Sequence, residues 1–150
     1  MLLTSFIADQ IWLHPYSVRL AGTRFEARMT VIRLTSGQIM LHSPSPIIPA
    51  LAEEISALGP VALIVVPGNF HHLHATAAQA VFPEAKTWVC PGVEKKCPNL
   101  RYEGILGDVA PTDWMEEIEQ VLVQGPRIIR AMALSPRASR DAVESTVEMP

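Results

Sequence analysis

The sequence predicts an α/β domain in which a mixed β-sheet is flanked by helices. Three observations carry that expectation. Residues 11–42 contain short β-branched and apolar segments separated by turn signals, as in an antiparallel meander. Strand-like and helix-like segments then alternate, which is the pattern of a parallel sheet with crossover helices. Within that alternation, residues 62–66 are a continuous apolar run of the kind found in a strand buried on both faces.

In chain order, residues 11–14 and 28–34 read as strands, with a turn signal at Ala21-Gly22-Thr23 between them. Ser36-Gly37 offers a tight hairpin turn into a third strand over residues 38–42. Pro49 opens a helix with Leu51, Ile55 and Leu58 at helical spacing, and Gly59-Pro60 stops it. After the strand at 62–66, the Ala-rich residues 74–82 read as a second helix ending before Pro83. Residues 86–90 make the next strand, stopped by Pro91-Gly92. Beyond it lie a loop through Lys95 to Pro98, a short strand near residues 102–106 and a turn capped by Thr112. Residues 118–123 and 127–134 read as two strands broken at Gly125-Pro126. One domain over residues 1–134 is expected, followed by a disordered tail over 135–150, where the periodicity stops.

Composition limits what such a domain can do. A chain of 150 residues buries roughly 70% of its unfolded surface, so it needs no disulfide or metal to fold, and a metal would serve chemistry. The net charge of −3 and the lack of a basic block argue against nucleic acid, whose phosphates require clustered Lys or Arg. Cys90 and Cys97 form neither a secreted disulfide framework nor a Cys-x-x-Cys zinc pair, which fits a reducing cytoplasm. The opening residues lack the basic start of a signal peptide, and no apolar run approaches the ~20 residues of a membrane helix. At 18% charged and 49% apolar residues, polar cover is sparse, and a homo-oligomer is expected.

Ligands of open parallel sheets gather outside the carboxyl ends of the strands. Three predicted strands deliver notable residues to that edge: His42-Ser43-Pro44, the loop Pro67-Gly68-Asn69-Phe70-His71-His72-Leu73-His74, and Cys90-Pro91. His71 and His74, three apart at a helix start, can share one face and suit a transition metal. The competing reading makes Asn69 a helix cap and leaves the histidines solvated. Because a catalytic zinc site usually takes three protein ligands, a third would come from His42, His72, Cys90 or elsewhere. Cys90 is otherwise read as core, as are Trp12, Trp88 and Trp114, with Arg24, Arg28 and Arg33 solvated or paired on the meander.

The run Asn69-Phe70-His71-His72-Leu73-His74 is similar to the His-x-His-x-Asp-His loop of metallo-β-lactamase-like hydrolases, likewise set after a buried strand and before a helix. The wider stretch from about Trp12 to Arg130 resembles an uncharacterised branch of that superfamily, known as a domain of unknown function. It includes Arg28-Met29-Thr30-Val31, Leu41-His42-Ser43-Pro44, Phe82-Pro83-Glu84-Ala85 and Pro91-Gly92. The resemblance implies an αββα sandwich whose parent enzymes use one or two zinc ions and a metal-bound hydroxide to hydrolyse ester, amide, thioester or phosphodiester bonds. His71 and His74 match two ligand histidines, but Asn69 stands where the first histidine would be and Leu73 where the aspartate would be. His74 is also the last histidine in the chain, whereas the parent enzymes take another from downstream. The resemblance further implies a second half shortened relative to complete members.

Two functional expectations follow. One is a non-catalytic module with a degenerate metal site, holding no zinc or zinc only weakly and binding a small molecule or a protein. The other is a zinc-dependent hydrolase remodelled around His71, His74 and one of His42, His72 or Cys90.

Overall fold

The computed structural model describes residues 1–68, 72–124 and 130–136. Seven strands form one sheet in sequential order: β1 (Thr4–Ile7), β2 (Ile11–Leu20), β3 (Thr23–Arg33), β4 (Ile39–His42), β5 (Val61–Val66), β6 (Lys86–Val89) and β7 (Gly104–Ile105). Neighbours from β1 to β4 run antiparallel, and those from β4 to β7 run parallel. The mixed sheet is therefore the one expected, with the change of sense at the first helical crossover. Helix α1 (Pro49–Leu58) joins β4 to β5, and α2 (Ala75–Val81) joins β5 to β6. A one-turn helix, α3 (Val93–Lys96), follows β6, and β8 (Ile118–Gln124) pairs antiparallel with β9 (Arg130–Pro136) in a second sheet.

Alternation along the central strands sorts the core into two layers. Leu41 and Ile64 face the helices and pack with Val31, Leu51 and Ile55, all fully buried. Met40 and Val65 face the other way, where Ile32, Trp114 and Ile118 complete a second cluster. Trp114 is seated by an edge-to-face contact with Trp88, ring centroids 5.8 Å apart, and its Nε1 donates to Gln120 Oε1 at 3.1 Å. The tryptophans thus supply buried area, as the sequence suggests. Arg24 donates to Ser17 Oγ at 3.2 Å, and the Arg33 guanidinium lies 5.1 Å from the centroid of the Trp12 ring.

Several boundaries differ from the sequence reading. β2 continues through Pro15, which pairs with Arg28 of β3. The β1 pairing reaches only from Ile11 to Leu13, so the far side of Pro15 needs no ladder donor. Strand β1 and helix α3 were not expected. The first has four residues with no buried side chain, and the second is a single turn begun by Gly92 at φ 104° with Glu94 Oε2 accepting from the Gly92 N–H at 2.8 Å. Neither is long enough to display a period. The break at Gly125-Pro126 lies outside the described residues. So does the expected tail beyond Pro136, while Ser135 and Pro136 belong to β9.

Candidate functional site

Parallel register carries three strand ends to one edge. His42 of β4 lies level with Val65 of β5, and Val66 lies level with Val89 of β6. The pairing extends past the strands, since the Ser43 N–H donates to the Val65 carbonyl at 3.0 Å and the Cys90 N–H to the Val66 carbonyl at 2.8 Å. His42, Cys90 and the loop leaving β5 therefore share the carboxyl edge, as the strand order predicts. Asn69 and His71 lie outside the described residues.

The side chains at this edge go to different neighbourhoods. His42 is 1% exposed and, by alternation with Leu41, faces away from the helices. Cys90 is fully buried with Val66, Ala75, Val89 and Val93, in a third apolar cluster under α2 and α3. His74 turns to the helix side, where its ring meets Tyr16 of β2 edge to face, centroids 5.7 Å apart at 81°. Burial lowers the His74 pKa below the ordinary histidine value and raises that of Tyr16 to about 12, so both rings favour their neutral forms. His72 is half-buried and Leu73 is exposed.

Helix α2 starts later than expected. Its first backbone bond runs from the Ala78 N–H to the His74 carbonyl, and His74 occupies the N-cap position without a side-chain cap bond. The segment from His72 to His74 is a turn, closed by the Ala75 N–H on the His72 carbonyl at 3.1 Å. The helix expected from residue 74 thus begins one residue later, with His74 at its N-cap, while the expected cap Asn69, and the His71 expected to share one face with His74, lie outside the described residues.

Two residues complete the edge. Ser43 takes a left-handed backbone conformation, φ 59°, that a non-glycine residue seldom adopts, and its buried Oγ has no hydrogen-bond partner among the described residues. The sequence does not single out Tyr16, because the strand predicted over residues 11–14 ends before Pro15. Continued through Pro15, the alternation Trp12, His14, Tyr16 places all three on the face of β2 that turns to the helices.

The donors present among the described residues do not fit a three-ligand zinc centre. No group of three or more His, Cys, Asp or Glu side chains there could hold a metal ion. His74, the described member of the expected histidine pair, has its ring against Tyr16.

Comparison with known proteins bears on the fold. A family model described as "Domain of unknown function (DUF4336)" matches residues 8–95. The curated proteins searched contain no significant match. Among solved structures, the chain resembles a metallo-β-lactamase from Hirschia baltica with TM-score 0.65 at 8% identity, over 91% of this chain and 66% of that one. A metallo-β-lactamase from Pontibacter korlensis gives TM-score 0.68 at 11% identity, over 91% and 66%. The mono-zinc form of the metallo-β-lactamase FIM-1 from Pseudomonas aeruginosa gives 0.62 at 11%, over 90% and 65%. The chain thus has a metallo-β-lactamase-like fold and spans slightly under two thirds of these neighbours' length. Identities this low speak to the fold alone.

Proposed function

Since the chain belongs to the DUF4336 family, we propose that it uses a metallo-β-lactamase-like fold as a non-catalytic binding module with a degenerate metal site at the carboxyl edge of β4, β5 and β6. The packing of His74 against Tyr16 carries this reading. A ligand histidine must present a ring nitrogen to the metal and usually bonds its other nitrogen to a carboxylate, carbonyl or water. His74 instead packs edge to face on a half-buried phenol, in surroundings that lower its pKa by desolvation. Leu73 supplies no donor, and the amide of Asn69 is a poor zinc ligand beside imidazole or carboxylate. Without the aspartate, the usual orienter of an attacking water is also missing. The polar edge with His42, Ser43 and His72 then serves a small polar ligand.

The conformation of Ser43 favours a second reading. A left-handed serine with a buried hydroxyl at a strand end is the kind of strained residue that clusters at functional sites. It fits a remodelled zinc hydrolase using His71, His74 and one of His42, His72 or Cys90. Metal content separates the two readings. Tag-free protein dialysed against metal-free buffer should retain substoichiometric zinc and should show no zinc-dependent hydrolysis of ester or β-lactam reporters. Tightly held zinc at one per chain, lost in His71→Ala or His74→Ala, would overturn the non-catalytic reading.

A further inference from the structure

At the opposite edge of the sheet, where β4 and β5 begin, lies a cavity of about 500 Å³, within the ~300–1,000 Å³ range of small-molecule sites. Its apolar wall is Ile11, Ile32, Leu34 and Ile118, each no more than 8% exposed. Three carboxylates, Asp9, Glu116 and Glu117, line it as well. The basic residue among the lining, Arg33, has its guanidinium over the Trp12 ring, and Trp12 packs with the helix-side cluster. Three carboxylates against this one guanidinium leave the lining acidic on balance.

The acidic side is held in place by the backbone. The Thr35 N–H donates to Glu117 Oε1 at 2.6 Å. The turn carrying both glutamates is closed by the Glu117 and Ile118 N–H groups on the Trp114 carbonyl, at 3.0 and 2.9 Å. Asp9 sits at φ 60° in the turn between β1 and β2, and the Arg33 N–H ties that turn to β3 through the Gln10 carbonyl at 2.8 Å. One carboxylate held by a backbone N–H and two more carried on hydrogen-bonded turns, all beside an apolar wall, suit a cation attached to an apolar body, because the charge stays near the mouth while the hydrocarbon leaves water.

We propose that this cavity is a binding site for a small amphipathic amine, whose ammonium meets Asp9, Glu116 and Glu117 while its hydrocarbon part lies against Ile11, Ile32, Leu34 and Ile118. The site is separate from the carboxyl edge and does not depend on the fate of the metal centre.

The test is a backbone-amide NMR titration of the full chain with n-hexylammonium, n-hexanoate and n-hexanol. Hexylammonium should give saturable shifts centred on Gln10, Ile11, Leu34 and Ile118, with hexanoate weaker by about tenfold or more. The double variant Asp9→Asn, Glu116→Gln should weaken hexylammonium by about fivefold or more while hexanol is little affected. Asparagine tolerates the left-handed conformation at position 9, so the turn is kept. The proposal is overturned if hexanoate binds as well as hexylammonium, if the double variant binds hexylammonium unchanged, or if no saturable shift appears by about 10 mM.

Discussion

At residue scale, two side-chain environments make predictions that the fold alone would not suggest. A Cβ on Gly104 would collide with Trp88 Cζ3 and stand 3.0 Å from Cε3, so glycine there makes room for the indole. That indole is also engaged with Trp114, and neither ring can move without disturbing the cluster around Met40 and Val65. Gly104→Ala should destabilise the protein by about 1–3 kcal/mol, as overpacking does, measured by urea denaturation. Glu54 of α1 accepts the Leu2 and Leu3 N–H groups at 2.7 and 3.0 Å. Those bonds, with smaller help from the amino terminus and His14, hold its pKa below the ordinary value of 4.5. A carboxylate with a lowered folded-state pKa binds protons more readily when unfolded. Its stabilisation is present above the ordinary value and is lost as pH falls through the folded one. Thermal midpoints recorded from neutral to acidic pH should therefore drop less on the acid side in Glu54→Gln than in the parent.

At the scale of elements, the central strands β4 and β5 are the best-protected part of the sheet. In β4 and β5, Ile39, Met40, Leu41, Ile64, Val65 and Val66 are fully buried, and the two strands lie between other strands with helices on one face. β1 and β7 close the sheet at its ends, and their residues are half-buried or exposed. Amide hydrogen exchange should consequently be slowest in β4 and β5 and fastest in β1 and β7, because edge hydrogen bonds open without global unfolding. Equal protection in β1 and β4 would contradict this ordering. Helix α1 is held mainly by packing, since Ile48 at its N-cap makes no side-chain cap bond and Pro49 begins the first turn. Leu51 and Ile55 are both fully buried against the sheet, and truncating either to Ala should cost about 2–5 kcal/mol.

At the scale of the molecule, the surface keeps apolar groups in contact with solvent. Tyr102 and Ile105 flank or occupy the edge strand β7, and Val109, 76% exposed, follows it. An exposed strand edge with apolar side chains is a template for pairing with another chain. We expect the protein to self-associate, and sedimentation at low micromolar concentration should show species heavier than the 16.5 kDa chain. A clean monomer would contradict it. Among the described residues no helix is long and apolar enough to cross a membrane.

The order of the central strands and both crossover helices were legible in the sequence because they rest on local signals. Pro49, Gly59-Pro60, Pro83 and Pro91-Gly92 punctuate the chain whatever surrounds them, and the apolar run ending at Val66 has few stable places except inside a sheet. The positions of His42, Cys90 and the histidine loop at one edge follow from that order. The directions of their side chains do not. His74 turns to Tyr16, a residue on a distant strand, and Cys90 sinks into a cluster shared with α3. Pro15 could stand inside β2 because β1 stops short of it, a fact about a neighbouring strand that no local pattern encodes. The acid-lined cavity joins residues near positions 10, 33 and 117, which approach one another only when the meander and the turn before β8 meet. Sequence determined the central strands and crossover helices and their order, through propensity and punctuation, but not the short elements β1 and α3. Tertiary structure decided which side chains meet, because contacts between distant segments are set by packing across the whole core.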